Sequence, residues 1–209
     1  VPAIIDSTND GPLIELALAG DATALQQLLL AYYQRLLDHI TRQIPAGMAG
    51  KISGEDVLQQ TYLQAFRSIE SFDPRSAHSF YAWLKKIAEH VLIDAARREG
   101  REVAASEPIR KPSTEADDSS YAGLLSQIMD DDASPTTQMM AREALRALHV
   151  ALASMQEDCR EAIRLRYLEG RSRKEVADMM GRTESVVHHL CKKGRQYLRD
   201  ELQRLSRFV

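Results

Sequence analysis

The 209-residue chain reads as all-α: two small helical domains joined by a flexible acidic linker, the second a four-helix domain with a helix-turn-helix. Three observations predict this. Apolar residues recur at helical spacing in nearly every patterned stretch, and no segment shows the period-two alternation of a strand. Between 100 and 135 that pattern dissolves into Ser, Thr and Ala, with three of the seven prolines and an acidic triplet at 130–132, a linker's composition. The last fifth of the chain, 172–202, then reads as a helix, a tight turn and a longer helix with a basic outward face.

Over 13–44 the apolar positions are Leu13, Ala17, Leu25, Leu28, Leu29, Tyr32, Leu36 and Ile40, and Gly20-Asp21 breaks them into two helices, with Asp21 able to cap the second. A loop follows over 44–54. Ser53 or Glu55 opens the next helix, whose buried side is Val57, Leu58, Thr61, Tyr62, Ala65, Phe66 and Ile69. It ends at Phe72-Asp73-Pro74, because the residue before proline is pushed out of helical geometry. A helix over 79–98 carries Phe80, Leu84, Ile87, Ala88, Val91 and Ala95 on one stripe and ends at Arg97 and Arg98. Inside the linker, Tyr121, Leu124, Leu125, Ile128 and Met129 fit a short amphipathic helix. Helical order resumes with Leu145, Leu148, Leu152 and Met155, then Ile163, Tyr167 and Leu168.

On the final helix, Leu190, Cys191, Gly194, Leu198 and Leu202 fall within about 60° of Val187 at 100° per residue. Ser185, His189, Lys192 and Gln196 fall opposite, flanked by His188, Lys193 and Arg199. One buried stripe and one donor-rich stripe after a Gly turn suit the DNA major groove. Thr183 is placed to cap the helix, and Arg182 to hold a phosphate at its start.

The net charge of −3 hides a strong division. Residues 1–74 carry −5, 75–100 carry +2, 101–140 carry −5 and 141–209 carry +5. Phosphate attraction follows the local field within a Debye length of roughly 10 Å, so the C-terminal third is the electropositive part. No apolar run approaches the roughly 18 residues of a membrane span. The residues from Val1 onward lack the basic start and apolar core of a signal peptide, and Cys159 and Cys191 cannot build a disulfide framework, so a reducing cytoplasm is expected. No Gly-rich phosphate loop, nucleophile elbow or His/Cys ligand set is present, so no catalytic residue, cofactor, metal or small-molecule substrate is expected. His188, His189 and Cys191 do not make a metal site, because Cys191 faces the apolar stripe.

Three ordered motifs resemble a known family. Asp56 to Arg67, followed by Phe72-Asp73-Pro74, resembles the second conserved region of bacterial sigma factors of the extracytoplasmic-function (ECF) group. Phe80 to Ala88, then Leu92 to Arg98, resembles that group's promoter-melting helix. Arg164 to Gly170 with the helix-turn-helix resembles its fourth region. The resemblance implies a promoter-specificity subunit of the sigma-70 family that binds core RNA polymerase and promoter DNA, with an anti-sigma factor as a further partner. Residues 1–100 would form the domain for core polymerase and the −10 element, 101–134 the linker, and 135–209 the domain for the −35 element. Core polymerase would meet Asp56, Gln59, Gln60, Tyr62 and Leu63. The −10 strand would meet Tyr81, Trp83, Lys85, Lys86, His90, Arg97 and Arg98, which combine aromatic faces for stacking with cations for the backbone. The −35 duplex would meet Arg182, Ser185, His188, His189, Lys192, Lys193 and Gln196. The protein would be cytoplasmic and nucleoid-associated when in holoenzyme. The alternative is a stand-alone helix-turn-helix regulator.

Overall fold

The computed structural model describes residues 10–74, 79–105, 116–128 and 138–205. Every element among them is helical, apart from an isolated bridge pairing Ala49 with Ile52. The chain divides into two compact units, Val1–Thr114 and Glu115–Val209.

The first unit holds α1 (Gly11–Leu18), α2 (Ala22–Gln43), α3 (Gly54–Ser68) and α4 (Phe80–Ala105). Asp21 caps α2 by accepting from the amides of Thr23 at 2.8 Å and Ala24 at 3.3 Å, and Ser53 caps α3 in the same way through Glu55 and Asp56. These side chains satisfy amides that the first turn of a helix leaves unpaired. The stripe read on α2 is buried throughout, from Leu25 to Ile40, and packs on Val57, Leu58, Tyr62 and Ala65 of α3 and on Phe80, Leu84 and Ala88 of α4. Tyrosines then tie α2 in place. Tyr62 donates its hydroxyl to Leu29 O at 2.9 Å, Tyr81 donates to Arg35 O at 3.2 Å, and Tyr32 donates to the Asp10 carboxylate. A buried phenol needs such an acceptor, and the bond fixes the register of the facing helices.

The second unit holds α5 (Ala116–Ile128), α6 (Gln138–Ser154), α7 (Glu157–Ile163), one turn of π-helix (Arg164–Leu168), α8 (Arg173–Met180) and α9 (Glu184–Leu205). Helix α5 lies inside the stretch expected to be flexible linker. Tyr121, Leu124, Leu125 and Ile128 are buried against α6, the π-turn and α9, and Arg199 of α9 donates to Ile128 O at 3.2 Å. Helix α4 also runs seven residues past Arg98, since Glu, Arg and Ala offset the roughly 1 kcal/mol cost of Gly100. Helix therefore occupies 101–105 and 116–128 of the stretch read as linker, the second where the sequence pattern placed a short amphipathic helix. Local composition gives no account of a docking surface contributed by distant helices. The acidic triplet lies outside the described residues.

Beneath Tyr121 sits His149, 1% exposed, with ring centroids 4.4 Å apart. Burial keeps the imidazole neutral and pushes its pKa down to about 4. The unfolded chain takes up this proton near pH 6.5 and the folded chain only near 4. The stability that depends on neutral His149 is thus complete above pH 6.5 and declines as pH falls toward 4.

Two outcomes follow from these contacts. Tyr62→Phe is expected to lower the stability of the full chain by about 1 kcal/mol in urea denaturation, the worth of one hydrogen bond, without weakening capture of core RNA polymerase. On going from pH 7.5 to 5, wild type is expected to lose about 2 kcal/mol through His149, seen by circular dichroism, and His149→Leu is expected to remove most of that slope.

Candidate nucleic-acid and polymerase interfaces

The helix-turn-helix is built from local chemistry. A reciprocal capping box opens α8: Ser172 N donates to Glu175 Oε2 at 2.8 Å, and Glu175 N donates to Ser172 Oγ at 3.2 Å. Gly181 ends it in the left-handed region at φ 61°, which lets Arg182 N reach Ala177 O at 2.9 Å. Thr183 Oγ1 then accepts from Val186 N at 3.4 Å and starts α9. Val187 and Cys191 pack with Ala162, Leu165, Val176 and Ala177 in one buried cluster, edged by Tyr167, Met180 and Leu190. At Gly194, a Cβ would stand 2.8 Å from Ile163 Cγ1, so α9 lies closer to α7 than any side chain permits.

Burying that stripe exposes the opposite one. Ser185, His188, His189 and Lys192 all face solvent on the N-terminal half of α9, the half that reaches base edges in this motif. The remaining −35 candidates are engaged within the domain. Arg182 pairs with Asp158 at 3.8 Å, both about half exposed, a contact weak enough to open. Lys193 Nζ donates to Gln156 Oε1 at 3.0 Å, and Gln196 lies between Asp200 and Arg199.

In the first unit the candidates divide by burial. Asp56 and Gln60 are exposed on α3 and Leu63 is half-buried beside them. Gln59 is buried and Tyr62 is fully buried, so both are corrected from a contact face to the core: their positions on the helix turn them toward α2 and α4. Tyr81 is corrected likewise. Its ring stacks on Tyr32 at 5.5 Å with the Arg35 guanidinium 4.0 Å from its centroid, and burial pushes its phenol up. Lys85 Nζ lies 5.5 Å from the same ring. Trp83 is half-buried on Phe72 and Phe80, the one aromatic of the pair that keeps partial exposure. Lys86, His90, Arg97 and Arg98 are exposed, with Arg97 3.8 Å from Asp94 and Arg98 Nε donating to Asp94 O.

Two apolar side chains on these faces were missed. Ile93, 47% exposed, shares a stripe with Lys86, His90 and Arg97, and Val186, 42% exposed, follows Ser185. Helical angle was the available signal: both residues fall outside the apolar stripe of their helix.

An α-helical protein with a solvent-facing recognition helix defines a DNA-binding class. Within it, residues 29–102 match the family described as Sigma-70 region 2, and residues 145–198 match Sigma-70, region 4, together more than half of the chain. Among its relatives, the ECF RNA polymerase sigma-E factor of Escherichia coli strain K12 is 27% identical over 202 residues, covering 97% of this chain and 98% of that one. The sigma-E factor of Haemophilus influenzae is 28% identical over 202 residues, covering 96% and 98%. A chain of the solved RsbN-BldN complex aligns with 88% of this chain and 96% of its own at 21% identity, with a TM-score of 0.34 that carries no structural detail. The chain belongs to the sigma-70 family of RNA polymerase sigma factors, in the ECF group. Proteins of this family bind core RNA polymerase and promoter DNA in transcription initiation. A stand-alone regulator leaves the region 2 match without a role.

The packing at Gly194 has a measurable consequence. Gly194→Val is expected to lower stability by ~1–3 kcal/mol in urea denaturation, the usual cost of overpacking, and Ile163→Ala is expected to restore part of that loss when combined with it.

Proposed function

We propose that the chain gives a bacterial RNA polymerase its promoter specificity through two helical modules. Residues 1–100 engage core polymerase through Asp56, Gln60 and Leu63, and the −10 strand through Trp83, Lys86, His90, Arg97 and Arg98. Residues 135–209 hold the −35 duplex, with Ser185, His188, His189 and Lys192 at base edges and Arg182 on a phosphate. The stretch 101–134 joins the two, with α5 serving as part of the second. The protein acts by binding alone and carries no catalytic group. It works in the cytoplasm, on the nucleoid when in holoenzyme, and an anti-sigma factor is a further partner.

The observation that supports this reading best is the donor-rich face of α9, held in water by the buried stripe behind it. Placement on α4 supports the strand-binding role: an indole edge beside cations offers a stacking surface together with backbone neutralisation.

The test is reconstitution. Full-length protein with core polymerase is expected to select duplexes from a randomised library and to start transcripts on them. Lys192→Ala is expected to weaken holoenzyme binding to a selected duplex about tenfold, with little change on a duplex whose upstream element is scrambled. Paired substitution of Gln60 and Leu63 by Ala is expected to weaken core capture. Failure of the wild-type chain to capture core polymerase at low salt would overturn the reading.

A further inference from the structure

The length of chain that joins the two units depends on one helix. Helix α4 ends at Ala105, α5 runs Ala116–Ile128 and α6 begins at Gln138. With α5 seated in the second unit, the connecting chain is 106–115, ten residues. With α5 out of its seat, it becomes 106–137, thirty-two residues. An extended chain covers at most about 3.6 Å per residue, so the two tethers reach about 36 and about 115 Å.

The seat is made by α6, the π-turn and α9, and it takes four apolar side chains, Tyr121, Leu124, Leu125 and Ile128, each at most 5% exposed. Arg199 of α9 fastens the last turn by donating to Ile128 O at 3.2 Å, and it also donates to Gln196 Oε1 at 3.2 Å. A helix of thirteen residues is marginal in water on its own. Gly123 near its middle weakens it further, and the Asp130–Asp132 triplet follows the end where the helix dipole disfavours negative charge. Helix α5 is therefore helical because it is seated, and leaving the seat unfolds it. Seating leaves the base-reading half of α9 open, since Arg199 stands seven residues beyond Lys192, about 10 Å along the helix.

We propose that α5 is a ruler: seated, it keeps the tether short and so restricts the distance at which the second module can meet its promoter element. This rests on the reading of the chain as two modules on two elements. Elements at −10 and −35 lie about 25 base pairs apart, roughly 85 Å along a straight duplex. Modules of about 100 residues have a radius of gyration near 13 Å and add a few tens of ångströms to either tether. The short tether then spans the elements with little chain to spare, and the long one with much. A tether near its limit selects spacing, because the effective concentration of the second module falls toward zero where the chain cannot span. A slack tether accepts many spacings at a lower effective concentration.

The experiment measures initiation by the full-length chain in holoenzyme, on templates with the selected elements at their best spacing and with four base pairs added, about 14 Å. Wild type is expected to lose about tenfold or more on the longer template. The double variant Tyr121→Ser, Leu124→Ser, which unseats α5, is expected to bring that loss below about threefold, while initiating several-fold less at the best spacing. A second variant leaves α5 seated and lengthens the tether by about twenty Gly and Ser residues inserted between Arg110 and Lys111. It is expected to relax the loss in the same way, and it decides the matter if the double variant does not fold. A spacing preference that the insertion leaves unchanged overturns the ruler. So does a folded double variant that initiates less by the same factor on both templates, since α5 is then only part of the second module's packing. A wild-type chain that captures no core polymerase, or initiates at no spacing, overturns the two-module reading instead.

Discussion

The recognition proposed for α9 requires that one of its stripes be held firmly enough to aim the other, and that aim rests on the contact at Gly194. With hydrogen as its side chain, the glycine lets the helix settle against Ile163, where a Cβ would stand only 2.8 Å away. Val187, Cys191 and Leu198 can then be buried to 6% exposure or less. With that stripe buried, Ser185, His189 and Lys192 are directed into solvent by the packing behind them. The capping box on α8, the left-handed Gly181 and the Thr183 cap set where α9 begins, hence which residues occupy its exposed first turns.

The first unit obeys a related constraint with different chemistry. Three tyrosines bond to α2 or to the chain just before α1, and each bond draws an aromatic ring away from the surface. The tyrosines of the first unit are thereby drawn into the core by the acceptors available to their hydroxyls. Trp83, with no phenol to satisfy, keeps an edge outward on the support of Phe72 and Phe80. The exposed faces of α3 and α4 that remain are mixed, with Leu63 and Ile93 set among polar and charged side chains. Such a mixture suits a protein contact on α3 better than a purely electrostatic one.

Charge in the second unit depends on pairing as much as on count. The +5 of residues 141–209 is not spread evenly, because Arg164 collects Glu161 and Glu169 into one partly buried network and both carboxylates are thereby withdrawn from their neighbours. The hydrogen bonds from Arg164 hold the Glu161 carboxyl below its ordinary value, so it stays charged and bound at neutral pH.

The amino-acid sequence by itself determined the helices, their caps, the helix-turn-helix and the resemblance to ECF sigma factors, because each depends on periodicity or on residues adjacent in the chain. Asp21, Ser53 and Gly181 were legible for that reason, and so was the outward stripe of α9. Tertiary structure alone decided which side chains on a readable face are spoken for. Tyr62 and Tyr81 had surface roles in sequence and lie in the core, since each hydroxyl finds its acceptor in α2, 33 and 46 residues away. Helix α5 was visible as a weak amphipathic pattern, yet its place in the second unit depends on a groove made by α6, the π-turn and α9. Local pattern reports what a residue can do; only the packing of distant helices, which sets burial and partners, decides what it is left exposed to do.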